Sequence, residues 1–319
     1  MAWPYQLFQA VPERFPGNPD SPLVADLAAL SLHPPFPWGQ ILYGKILRER
    51  GEGLAGDFAE CGVALGGMSL FLAQHARRLG RQLHAFDSFV GLPEPSRTHD
   101  NPYFRAGDYR ADQAEQGLLT RFQAEIRQRQ LEQTVNVVPG FLADSLEDFT
   151  PPDSFAFVHI DLDLYEPVLQ ALAFFYPRLV PGGVLVIDDV FHHARGPARA
   201  AEAFFAQQGI APVYHVSFPY SVVLFKGEEA DPDHRRAIDG NRYSFDLLRD
   251  LHELRAAVDQ ACQDLQDTPE DHAKAEALKD LLARSDHKSS DIYDYWSCLA
   301  RYWDDMDDPN PNARPLIEI

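Results

Sequence analysis

Cysteine is scarce in this chain: three residues in 319 (Cys61, Cys262, Cys298), odd in number and far apart. That pattern excludes a disulfide frame and a zinc cluster, and it predicts a reducing, cytoplasmic setting. Basic charge is also scarce. Lys and Arg number 28 against 48 Asp and Glu, a formal net charge of -20. Such a chain is a poor partner for nucleic acid or an anionic membrane. Long apolar runs are missing, and none approaches the roughly 20 residues of a membrane span. The N-terminal stretch lacks the basic start and apolar core of a secretory leader, so none is expected. No repeat of useful period is visible. What remains is a chain with 45% hydrophobic residues, enough for a real core, and a length that suggests one domain plus an appendage.

Residues 155–190 organise the rest. They read as strand, acidic turn, helix, Pro-Gly-Gly turn, strand, acidic turn. The two apolar runs are short and rich in Val, Ile and Phe, as in strands buried on both faces. Between them, Val168, Leu169, Leu172, Phe175, Tyr176 and Leu179 fall at helical spacing, and Pro181-Gly182-Gly183 is expected to stop that helix. A βαβ unit makes the strands parallel, with a right-handed crossover. Asp161 and Asp163 leave one strand, and Asp188 and Asp189 leave the other, at the edge where open α/β sheets bind ligands. Carboxylates gathered there repel one another unless a cation sits among them, and oxygen ligands suit Mg²⁺ or Ca²⁺. By position Asp163 is expected to cap the helix that follows.

The remaining segments fit around this unit. Residues 1–50 read as a Pro-rich arm or lid with short helices at 21–32 and 38–50, Ser21 being the expected cap of the first. Residues 56–63 read as the first core strand. It enters a turn of the form E-x-G-x-x-x-G-G (Glu60, Gly62, Gly66, Gly67) and then a helix over 68–79. Glycines let a ligand approach the backbone, and the helix start offers free N–H groups. The spacing is not the dinucleotide pattern G-x-G-x-x-G. An acid before the first glycine suits an ammonium and not a pyrophosphate. Strand 82–86 ends in Asp87-Ser88, where a carboxylate can accept hydrogen bonds from ribose hydroxyls. A helix over 111–131, a strand at 135–138 ending in Pro139-Gly140-Phe141, and a short helix at 143–149 follow. A helix at 198–208 precedes two strands, 212–217 and 221–226, joined closely enough to be antiparallel. The fold class is therefore α/β: a Rossmann-like, seven-stranded sheet with its last strand reversed, spanning 51–227, with a helical arm before it and an appendage after it.

Residues 228–319 carry 23 Asp and Glu against 11 Lys and Arg, so most of the net charge sits there. Leu247, Leu251, Leu254, Val258, Ala261 and Leu265 form the seam of a helix that packs on another helix, which predicts a homo-oligomer contact or an internal bundle. Further helices are expected at 270–283 and 291–303.

The stretches GDFAECGVALGG (56–67), HAFDSFVGLPEP (84–95), VPGFLADSL (138–146), 159–190 and GPARAAEAFF (196–205) resemble the TylF/macrocin O-methyltransferase family, within the class I S-adenosylmethionine-dependent methyltransferases. The resemblance covers about residues 40–226 and is silent on the appendage. It implies methyl transfer from S-adenosylmethionine to a hydroxyl of a glycosylated small molecule. The implied cofactor bed is Glu60, Gly62, Gly66, Asp87, Ser88, Gly140 and Phe141. The implied Mg²⁺ ligands are Asp161, Asp188 and Asp189, and the expected proton acceptor is Asp161, with His192 as runner-up. The chemistry agrees with those positions, because a hard cation acidifies a sugar hydroxyl and a nearby carboxylate takes its proton. Two other readings stay open: a metal-independent methyltransferase of another small molecule, and a non-catalytic relative that serves as a partner protein.

Overall fold

The computed structural model describes residues 18–30, 37–101, 104–110, 117–190, 195–212, 215–217, 221–228 and 271–281, with a few isolated positions between 257 and 268. Seven strands form one sheet in the order β3-β2-β1-β4-β5-β7-β6. They are β1 (Asp57–Cys61), β2 (Leu83–Asp87), β3 (Val135–Pro139), β4 (Phe155–Ile160), β5 (Leu179–Ile187), β6 (His215–Ser217) and β7 (Ser221–Phe225). The first five are mutually parallel. β7 runs antiparallel to both β5 and β6, so it alone is reversed, as the sequence predicts.

The helices are α1 (Ser21–Leu27), α2 (Pro37–Arg50), α3 (Gly67–Arg78), α4 (Leu118–Gln128), α5 (Leu142–Asp148), α6 (Tyr165–Arg178) and α7 (Arg195–Gln208). They cover both sheet faces, so the strands must be apolar on both sides. All six residues of β4 are buried. Along β5 and β7, successive residues alternate between two cores, as the period of two requires. Val184, Val186, Val223 and Phe225 join α1–α4 in one core. Leu185, Ile187, Val222 and Leu224 join α6 and α7 in the other. The expected arm contributes to the first: Val24, Leu27, Ile41, Tyr43, Ile46 and Leu47 are buried there. Phe157, fully buried at its centre, sits edge-on to Tyr43. Truncating such a phenylalanine costs about 3–5 kcal/mol.

Two local expectations are corrected. Pro181-Gly182-Gly183 does not form a turn between α6 and β5. The helix ends at Arg178, β5 starts at Leu179, and the three residues lie inside the strand as a bulge. The pairing jumps from Phe155↔Leu179 to Phe157↔Val184 across it. Gly182 adopts φ 73, and Lys226 N–H donates to the Gly183 carbonyl. A bulge and a turn ask for the same residues, so composition could not separate them. Ser21 does not cap α1 either. Asp20 occupies the cap position, and its carboxylate instead pairs with Arg48 on α2 and lies 3.3 Å from His75 Nε2 on α3. Burial and the charges of Arg78 and Arg48 press the His75 pKa down to about 4.

Of the predicted appendage helices, residues 272–281 are helical, with Asp271 Oδ1 accepting from the N–H groups of Ala273 and Lys274 as a cap. The 247–265 seam and the 291–303 helix lie essentially outside the described residues, as do 111–116. Among the described residues no helix is long and apolar enough to cross a membrane.

Candidate active site

In the strand order, the chain reverses its direction of travel between β1 and β4, and the crevice at that switch point is where open α/β sheets bind ligands. Gly62 and Asp161 meet there. Asp161 N–H donates to the Cys61 carbonyl at 2.8 Å, and a Cβ on Gly62 would collide with the Asp161 carbonyl. Gly62 has φ 98 and Gly66 has φ 92, and a Cβ on Gly66 would strike the Phe122 ring. Both positions therefore require glycine. Gly67 opens α3 beneath the Leu30 carbonyl, 2.6 Å from where its Cβ would stand. The end of the N-terminal helical segment thus rests on the glycine turn.

The predicted cofactor residues line up along β1, β2 and β3. Asp87 Oδ2 accepts from the N–H groups of Val63 (2.7 Å) and Ala64 (2.9 Å), and Oδ1 accepts from Phe89 N–H (2.6 Å). Asp87 therefore holds the glycine turn in shape, a role its expected contact with ribose did not anticipate. Ser88 Oγ donates to the Gly91 carbonyl and closes the next turn. Gly140 N–H donates to the Asp87 carbonyl, and Phe141 beside it is 39% exposed. Glu60 is fully buried; Ser69 of α3 donates to its Oε2. Its Oε1 has no hydrogen bond and lies 3.5 Å from His159 Nδ1, which also has none. A buried carboxylate oxygen without a donor is the kind of acceptor an ammonium group satisfies.

On the other side of the switch point the carboxylates face one another. Oxygens of Asp161, Asp163 and Asp189 all lie within 4.8 Å of each other. Burial, then the charges of Asp188, Asp163, Asp189 and Glu60, raise the Asp161 pKa well above the carboxylate range. Burial and the Asp188 charge push Asp163 up to about 7, against the lowering effect of its hydrogen bond with Asp189. Asp163 does not cap α6: it stands at φ 60, and the cap position, Leu164, makes no side-chain bond. The cap comes from Asp100, 65 residues upstream. Its Oδ1 accepts from Tyr165 N–H at 2.7 Å. Asp188 is not part of the close trio, and Ser221 donates to its Oδ1. Its charge nonetheless acts on both Asp161 and Asp163. A donor set of carboxylate oxygens only, mutually destabilised, fits a hard divalent cation. His192 lies outside the described residues.

Backbone strain marks the same edge. Six non-glycine residues among those described have positive φ: Ala64, Phe89, Tyr109, Gln130, Asp163 and Asp189. All but Gln130 sit in loops at this end of the sheet. Each costs about 1–3 kcal/mol, and such strain gathers at functional sites. The large exposed hydrophobics among the described residues, Val90, Phe141 and Tyr109, flank it too. Partial burial and the charges of Asp163, Asp189 and Asp161 raise the Tyr109 hydroxyl pKa. The loop ahead of Tyr109 is clasped to α6 and α7. Arg199 donates to the Thr98 carbonyl, and His99 stacks on Tyr165 with centroids 4.0 Å apart. These four residues, with Glu202 and Ala203, line a groove of about 510 Å³. Asp163 was legible as half of a D-x-D pair, and Tyr109 as an exposed-type aromatic of the loop expected over this sheet edge, whereas Asp100 and Ser221 left no local signal.

Known proteins resemble this chain over part of its length. The family model for macrocin-O-methyltransferase (TylF) matches residues 44–221. The chain is 35% identical over 154 residues to the 8-demethyl-8-(2,3-dimethoxy-alpha-L-rhamnosyl)-tetracenomycin-C 4'-O-methyltransferase of Streptomyces olivaceus, covering 43% of this chain and 54% of the relative. It is 31% identical over 149 residues to the demethyldecarbamoylnovobiocin O-methyltransferase of Streptomyces niveus, covering 44% and 54%. The chain spans about half the length of the curated relatives it matches. Among solved structures, the O-methyltransferase NovP superposes with TM-score 0.48 at 23% identity, over 59% of this chain and 80% of that one. The calicheamicin methyltransferase CalS11 superposes with TM-score 0.49 at 17% identity, over 69% and 98%. With the family model matching more than half of its residues, the chain belongs to the macrocin-O-methyltransferase (TylF) family.

Proposed function

We propose that this protein is an S-adenosylmethionine-dependent O-methyltransferase that methylates a sugar hydroxyl on a glycosylated natural product, with a bound Mg²⁺. The observation that carries the reading is the meeting of two unlike half-sites at one switch point: a glycine turn with a buried acceptor that has no donor, and a carboxylate group that a cation would stabilise. Membership in the family and relatives named for methylation of rhamnosyl, novobiocin and mycinamicin products support the substrate class.

On this reading Glu60 receives the methionine ammonium, Asp87 keeps the glycine turn in register and reaches the ribose, and Gly140 and Phe141 border the base. Asp161, Asp188 and Asp189, with Asp163 beside them, hold the metal. When bound, a divalent cation lowers the pKa of a coordinated hydroxyl. Asp161, half-buried beside the glycine turn, would accept the hydroxyl proton, and His192 is the alternative acceptor. Holding the two reactants in line would lower the barrier further. Residues 228–319 form an acidic appendage whose 247–265 seam joins subunits, a proposal supported by its heptad spacing. Cytoplasmic placement is supported by the free, buried thiol of Cys61.

The test is turnover with a panel of glycosylated products, with product methylation read by mass spectrometry before and after EDTA. Methylation that stops on chelation and returns with Mg²⁺ supports the proposal. Full activity after exhaustive chelation rejects the metal and favours a metal-independent methyltransferase.

A further inference from the structure

The reversed strand touches the acidic half of the site. The pairing Ile187↔Val222 places Ser221, the first residue of β7, opposite Asp188, one step past the end of β5. Ser221 is only 4% exposed, and its hydroxyl donates to Asp188 Oδ1. The main chain of Asp188 is fixed as well, since its N–H donates to the Ile160 carbonyl at 2.8 Å. One oxygen of this carboxylate is therefore tethered to the strand on its far side. The other can be turned toward Asp161, Asp163 and Asp189, whose oxygens already lie within 4.8 Å of one another.

We propose that Ser221 is a positioning residue for the cation site, holding Asp188 Oδ1 so that Oδ2 is presented to the carboxylate group on β4 and β5. The inference rests on the metal reading above. A carboxylate among like charges turns away from them when nothing restrains it. A hydroxyl that can donate to one oxygen sets the plane of the group and leaves the other oxygen to bind. Loss of such a partner behind a metal ligand typically costs about 10- to 100-fold in metal affinity. The reversed strand thereby acquires a chemical role, because β7 is the element that brings a donor up behind Asp188 from outside the parallel set.

The experiment titrates the full chain with Mn²⁺, followed by electron paramagnetic resonance, and measures S-adenosylhomocysteine binding in parallel. Ser221→Ala should weaken Mn²⁺ about 10- to 100-fold while leaving S-adenosylhomocysteine affinity unchanged. Ser221→Thr, which keeps the hydroxyl, should restore Mn²⁺ binding, and Ser221→Ala added to Asp188→Asn should cause little further loss. Unchanged Mn²⁺ affinity in Ser221→Ala overturns the proposal, and a lower melting temperature with unchanged affinity does the same by making Ser221 merely structural. A wild-type protein that binds no Mn²⁺ overturns the metal reading itself and this inference with it.

Discussion

The two halves of the site contain the same functional group in opposite conditions. On the β1–β3 side, the Asp87 carboxylate accepts three backbone N–H groups and the Glu60 carboxylate accepts a buried hydroxyl. Those groups are organised before any ligand arrives. On the β4–β5 side, Asp161, Asp163 and Asp189 crowd together, and two of them have raised pKa values. Those groups are organised at a cost that a cation would remove. The first half is largely satisfied when empty, with only Glu60 Oε1 and His159 Nδ1 left without a partner among its described residues; on the metal reading, the second is complete only when loaded. Removing a carboxylate should therefore act on structure and cofactor in one half, and on chemistry in the other.

The largest effect is expected on the acidic side. Asp161→Asn should lower turnover by roughly 10²–10³-fold, the scale of losing one preorganised electrostatic contact, with S-adenosylhomocysteine affinity unchanged. Equal loss of both would erase the distinction between the halves. Next comes Asp87→Ala, which should weaken S-adenosylhomocysteine about 10- to 100-fold by calorimetry, since charge-assisted hydrogen bonds contribute about 1.5–3 kcal/mol. Wild-type affinity in that variant would remove Asp87 from the cofactor half.

A pH series sharpens the contrast without mutation. The Asp163 pKa is about 7 in the folded protein, against about 3.9 in an unfolded chain. The raised value makes its contribution to stability fully present below pH ~4 and lost as pH rises through about 7. The metal-free protein should melt lower at pH 8 than at pH 5, and added Mg²⁺ should raise the melting temperature more at pH 8. A Mg²⁺ effect equal at both pH values would show that no raised carboxylate is relieved. The smallest effect is expected for Ser88→Ala. It removes a turn hydrogen bond worth about 1 kcal/mol, so cofactor affinity should fall about 5-fold or less. A loss matching that of Asp87→Ala would make Ser88 a direct ligand.

Much of this architecture is legible in the sequence. Strands buried on both faces read as apolar runs, and β4 is such a run throughout. Glycine positions are legible because Gly62 and Gly66 hold backbone angles that other residues rarely adopt. The acidic strand ends are legible because the strands of a βαβ unit are parallel, so both end at the same edge of the sheet. The failures have one physical origin: a short motif carries no trace of what approaches it from far along the chain. Asp163 stands one residue before the cap position, yet the capping carboxylate is that of Asp100. Asp188 and Asp189 look equivalent in sequence, yet Ser221 from the reversed strand singles out Asp188. Pro181–Gly183 reads as a stop, yet pairing with β4 on one side and with Lys226 on the other draws it into the sheet.

The cap from Asp100 has a kinetic consequence. Helix α6 closes its first turn locally, Val168 N–H donating to the Leu164 carbonyl, but the acceptor for its leading amide, Tyr165 N–H, arrives on the loop that carries Asp100. That one bond exists only while the loop is docked on the helix. In hydrogen–deuterium exchange, the Tyr165 amide becomes a clock for that docking: it should exchange at the rate at which the 89–110 loop lifts away, slower than a frayed helix start and faster than the buried strand beside it. A single amide, far from any reacting atom, would then report how often the acidic half of the site stands open.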